Sequence, residues 1–102
     1  MKKRFIVAVE GLTNKEQKLL SAFLAKEGAW WHWIDGFWMI VVSGGSSLDT
    51  VAIRDKVKEI GDNPHCIVLQ VQGSVSWAGF GPSSDERNMF SWLRNTWSRY
   101  ND

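Results

Sequence analysis

Residues 28 to 42 read GAWWHWIDGFWMIVV, and the Asp35-Gly36 pair at their centre constrains the chain more than any other feature. Asp-Gly is favoured in the tight two-residue turn whose twist matches paired strands, because that turn needs positive φ. The flanks, Trp30 to Ile34 and Phe37 to Val42, are aromatic and β-branched, as strands are. The stretch therefore predicts a β-hairpin. A simple two-residue turn sets Trp33 against Trp38 and Trp31 against Ile40 on one face. Trp30, His32, Ile34, Phe37, Met39 and Val41 then fall on the other.

The rest of the chain arranges itself around this hairpin. Arg4 to Val9 is a short apolar run bounded by Glu10 and Gly11, the mark of a first strand. Thr13 and Glu16 have capping-box spacing and open a helix with Leu19, Leu20, Phe23 and Leu24 as its apolar face. Gly28 is placed for a left-handed stop. Ser46 and Asp49 open a second helix that turns Ile53, Val57 and Ile60 inward and ends at Gly61. Cys66 to Val71 follows as a fourth strand. The order, strand, helix, strand, strand, helix, strand, is the α+β ferredoxin-like βαββαβ arrangement with an antiparallel sheet. Its helices cover one sheet face, yet the first, third and fourth strands are apolar on both. Ser83 and Glu86 form another capping-box pair, and residues 85–100 place Met89, Phe90, Trp92, Leu93, Trp97 and Tyr100 on one side. An added C-terminal amphipathic helix over 85–100 is expected to cover part of the second face, and a partner subunit the remainder. Residues 73–83 form the long connection, with a short strand possible around Val75 to Trp77.

The length of 102 residues suits a single domain spanning 1–102. Twelve Lys and Arg against eleven Asp and Glu leave a net charge of +1 with no basic stripe, which argues against duplex binding by charge alone. No run approaches the length of a membrane span, and the apolar run after Lys2, Lys3 and Arg4 is too short for a secretory core. A soluble, cytoplasmic protein without membrane association is expected. Cys66 is the lone cysteine, so no disulfide framework or multi-cysteine metal site is available.

Candidate chemistry is sparse. His65 and Cys66 are neighbours on a strand and point to opposite faces, which removes a Cys-His pair. The glycine-rich stretches SGGSS and GFGPSS could cradle phosphate, but Asp49, Asp85 and Glu86 in the following turns would repel an anion. No catalytic residue, metal ligand or cofactor is assigned, and the chain is read as a binding protein rather than an enzyme. The tryptophans Trp31, Trp33, Trp38 and Trp77 form either a core or dimer seam or a platform on which bases stack. In the platform reading His32 joins the ligand contacts, and Arg54, Arg87 and Arg94 supply phosphate contacts to a nucleotide or short oligonucleotide.

The hairpin WWHWIDGFWMIVV and the later WAGFGP resemble the small bacterial and phage-borne proteins labelled SinR-like, which are related in fold to the compact CRISPR-adaptation nuclease subunit. The resemblance covers most of residues 4–81. It implies a ferredoxin-like homodimer in which sheets or edge strands of two copies meet, and a setting in phage and bacterial defence or counter-defence. In the nuclease subunits an Asp ends the first strand; here Glu10 stands there, one carboxylate for a metal commonly held through one or two with substrate phosphates. Two alternatives to nucleotide binding follow: a metal-dependent nuclease-like dimer using Glu10 with Asp35 or a partner carboxylate, and a protein-interaction module that inhibits a defence complex.

Overall fold

The computed structural model describes residues 2–98 and shows a mixed α+β fold. Its elements are β1 (Lys2–Glu10), α1 (Asn14–Glu27), β2 (Gly28–Ile34), β3 (Phe37–Ser43), α2 (Thr50–Ile60) and β4 (His65–Val71). The four strands make one sheet in the order β2-β3-β1-β4, every pairing antiparallel.

α1 begins as its capping box requires: the Glu16 N–H donates to Thr13 Oγ1 at 3.1 Å and the Thr13 N–H to Glu16 Oε1 at 2.8 Å. Its buried stripe is narrower than expected, comprising Gln17, Leu20 and Leu24 with Phe23 half-buried, and Leu19 faces solvent. Gly28 is no left-handed stop. Its φ of 178° is extended, and the chain passes straight from α1 into β2. The glycine is required by contact instead, since a Cβ there would lie 2.1 Å from the Val41 carbonyl oxygen. For α2 the cap is Asp49, whose Oδ1 accepts from the Ala52 N–H at 2.7 Å, while Ser46 Oγ accepts from the Leu48 N–H in the turn before it.

The first sheet face packs on both helices through Phe5, Val7, Val9, Trp38, Ile40 and Val42 against Leu20, Leu24, Ile53 and Val57. The second face carries Trp31, Met39 and Val41, covered by Met89, Leu93 and Trp97. The cover differs from the helix expected over 85–100. Residues 85–90 are not helical: Ser83 bridges Asn88, the Met89 N–H donates to the Pro82 carbonyl at 2.9 Å, and Ser84 Oγ accepts from the Arg87 N–H at 3.1 Å. Such local side-chain and turn bonds compete with helix formation, so the capping spacing of Ser83 and Glu86 does not act. A π-helical turn, Leu93–Trp97, follows, and the position expected for Tyr100 lies outside the described residues. Residues 75–77 form no strand.

Arg4 ties this cover down. Its buried guanidinium donates to the carbonyls of Gly73 and Trp97 and lies 5.1 Å from the centre of the Trp97 ring.

Candidate interaction surface

The hairpin decides which tryptophans meet. Its turn is formed by Asp35 and Gly36 as expected, with Gly36 at φ 70°. A Cβ at Gly36 would also sit 2.3 Å from the Val9 carbonyl oxygen. α1 grips the turn: Gln17 Nε2 donates to Asp35 Oδ1 at 2.8 Å, and Gln17 Oε1 accepts from the Gly36 N–H at 3.0 Å.

The expected register fails one step beyond the turn. Ile34 pairs with Phe37, but Trp31 pairs with Met39 and Trp30 with Ile40, so β2 carries an extra residue between Trp31 and Ile34. A bulge of this kind reverses which side chains share a face. Trp31 therefore joins Met39 and Val41 on the second face, while Trp38 joins Ile40 under the helices.

The aromatic set is thus divided rather than gathered. Trp38 is fully buried, its Nε1–H donating to Ser21 Oγ at 2.9 Å, and His32 stacks on it at 4.1 Å and 7°. His32 Nδ1 lies 2.8 Å from the Phe37 carbonyl, an acceptor only, so this nitrogen carries the proton. Trp31 is buried and donates to the Met89 carbonyl at 2.7 Å. Trp77 is half-buried, stacked on Phe90 and bonded to Ser98 Oγ. Trp33 is 38% exposed, with the Arg87 guanidinium 5.4 Å from its ring centre. Arg54 lies on α2 beside Asp55 at 2.8 Å, on the opposite sheet face from the segment that carries Arg87 and Arg94. The eight residues singled out from the sequence share no single surface.

What the structure does gather is apolar and lies elsewhere. The strand pairings lay the second face out in rows: Ile34, Phe37, Ala8 and Ile67 in one, and Trp31, Met39, Ile6 and Leu69 in the next. Burial falls toward β4 in the row that holds Trp31, while the row nearer the hairpin turn is open at both ends, Ile34 being 48% exposed at the far one. Trp31 and Met39 are buried, but Leu69 is 52% exposed and Ile67 63%. The cover reaches β4 only at Val71 and leaves Ile67 and Leu69 open. A depression of about 410 Å³ opens at the same end, lined by Ala8, Ile34, Phe37, Cys66 and Ile67 with Glu10 and His65 among its polar members. Phe80, fully exposed in the 73–83 loop, is a further uncovered aromatic.

Three of the polar groups at the depression pair with other side chains. Glu10 Oε1 and His65 Nδ1 lie 3.1 Å apart, both exposed, and Asp35 is engaged with Gln17. Burial pushes the Cys66 thiol up, with the Arg54 charge acting in the opposite direction, so the sulfur is held as the less nucleophilic thiol. Among the described residues no group of three or more His, Cys, Asp or Glu is arranged to hold a metal ion. No helix among them is long and apolar enough to cross a membrane.

Sequence reasoning passed over Ile34, Ile67, Leu69 and Phe80. For β4 the signal was present: His65 to Val71 holds no Lys, Arg, Asp, Glu or Pro, an unguarded composition if the strand lies at an edge. No family model, curated protein or solved structure matches this chain.

Proposed function

We propose that this chain is a non-enzymatic protein-interaction module on a ferredoxin-like α+β fold, with homodimerisation as its simplest assembly. The observation that carries the reading is the open part of the second sheet face, where Ile67 and Leu69 on β4, and Ile34 at the far end of the same row on β2, are each about half exposed or more. Fully burying each of these aliphatics would gain on the order of 1 kcal/mol. A surface that is apolar, contiguous by strand pairing and free of charged side chains along β4 suits a protein contact. It suits a phosphate-bearing ligand poorly. A role in bacterial or phage defence rests on the sequence resemblance alone.

Photo-crosslinking in cells tests this reading. Benzoylphenylalanine at Ile67 should give a protease-sensitive, nuclease-resistant adduct, and the same probe at exposed Lys18 on α1 should not. An adduct that contains nucleic acid, or equal labelling at both positions, would reject it.

Nucleotide binding is the second reading, favoured by one specific contact: the Arg87 guanidinium over the exposed Trp33 ring. A base stacked on Trp33 would have to displace or sandwich that cation. Saturable quenching of tryptophan fluorescence by a nucleotide, lost in Trp33→Ala, would promote it over the protein contact.

A further inference from the structure

The two edges of the sheet are built differently. β2 is interrupted by its bulge, carries bulky Trp30 and Trp33, and has Arg87 lying over the latter. Bulges and covering side chains are among the devices that keep edge strands from pairing with other chains. Among the described residues β4 has none of them. Its register with β1 runs unbroken from Arg4↔Val71 to Glu10↔His65, and its sequence HCIVLQV contains neither a fixed charge nor a proline. Alternate residues of such an edge still offer their backbone N–H and C=O groups on the outer side.

The sequence of β4 is also symmetric in the property that matters. Two copies aligned antiparallel with Val68 facing Val68 would set Ile67 of each against Leu69 of the other. The two most exposed aliphatics of the strand thus become cross-strand pairs on the second face. No like charges meet along the seam. On the first face α2 packs against β4 and carries Arg54, Lys56 and Lys58 with Asp55 and Glu59, so two copies brought side by side present mixed charge.

We infer that β4 pairs with β4 of a second copy of this chain, antiparallel about Val68, joining the two sheets into one. This is an isologous two-fold contact, and it closes on itself instead of propagating. The inference rests on reading the open corner as a protein contact surface and names its occupant.

Sedimentation equilibrium over a range of concentrations, with two variants, tests it. The native chain should reach twice its 11.6 kDa mass. Ile67→Asp alone and Leu69→Lys alone should each weaken association at least about tenfold while circular dichroism stays native, because each puts a charge into an apolar seam. Mixing the two variants should restore a heterodimer, since in this register the introduced Asp faces the introduced Lys across one pair and native Leu69 faces native Ile67 across the other. A dimer that neither variant weakens, or a failure of the mixture to reassociate, overturns the β4 pairing. A native chain that stays monomeric overturns it too; if its Ile67 adduct then has the mass of a different protein, the contact surface stands and only the occupant is wrong. Absence of any Ile67 adduct sinks both.

Discussion

The two faces of one sheet are finished to different standards. On the helix face, Phe5, Val7, Trp38, Ile40 and Val42 are all but inaccessible, and the one indole N–H there reaches Ser21. On the other, the cover is a loop and a single π-helical turn, the Nε1 atoms of Trp92 and Trp97 are buried without a hydrogen-bond partner among the described residues, and the β4 corner is open. A buried donor without an acceptor costs on the order of 1–3 kcal/mol. The contrast teaches that the closed packing is concentrated beneath α1 and α2, while the second face leaves apolar surface uncovered.

The sharpest way to break that comparison is to truncate the closed face. Trp38→Ala should destabilise by roughly 3–5 kcal/mol, as loss of a fully buried large aromatic does, read from urea unfolding. A cost under about 1 kcal/mol would show that the helix face is not the stability centre. Gly36→Val should cost about 2–3 kcal/mol, because a β-branched residue is strained at φ 70° and its Cβ meets the Val9 carbonyl. Unchanged thermal stability would refute the turn geometry.

Arg4→Met probes how the loose face is held. Removing the bonds to the Gly73 and Trp97 carbonyls should cost about 1–2 kcal/mol. It should also speed proteolysis within residues 73–90 before the sheet unfolds. Equal cleavage rates in both proteins would mean that Arg4 is no latch.

The legibility of the sequence followed the range of the interactions. The Thr13 and Glu16 box, the Asp35-Gly36 turn and the order of elements are set by residues a few positions apart, and each formed. The hairpin register was not legible, because the bulge between Trp31 and Ile34 leaves no mark in the alternation of so uniformly apolar a stretch. That single step reassigned Trp31 and Trp38 to opposite faces and dispersed the expected platform. Gln17, polar and in mid-helix, gave no hint that it would be buried and clamp the turn. The terminal segment was misread for the same reason: its 3.6-residue periodicity is real, but Ser84, Asn88 and the Pro82 carbonyl hold residues 82–90 in turns.

The smallest effects lie on β4. Leu69→Lys should change the unfolding free energy of the isolated chain by no more than about 0.5 kcal/mol, the usual range for surface substitutions. A larger loss would mean that Leu69 is core. Cys66 offers a pH test. Its folded thiol holds the proton more tightly than the unfolded one, so the stability it contributes is present below the unfolded thiol's pKa and is lost as pH rises through the folded value. Cys66→Ala should therefore flatten the alkaline fall in stability, on top of a small packing loss that is the same at every pH. A steeper fall, or a change confined to neutral pH, would contradict the assignment.

Amide hydrogen exchange as a function of protein concentration compares the two sheet edges within one molecule. In the pairing inferred above, the outward amides of His65–Val71 slow as concentration rises, while those of Gly28–Ile34 at the opposite edge keep the same rates. Protection of β4 that is independent of concentration, or concentration-dependent protection appearing at β2 instead, would contradict the claim that the β4 edge and its open corner are where this protein meets its partner.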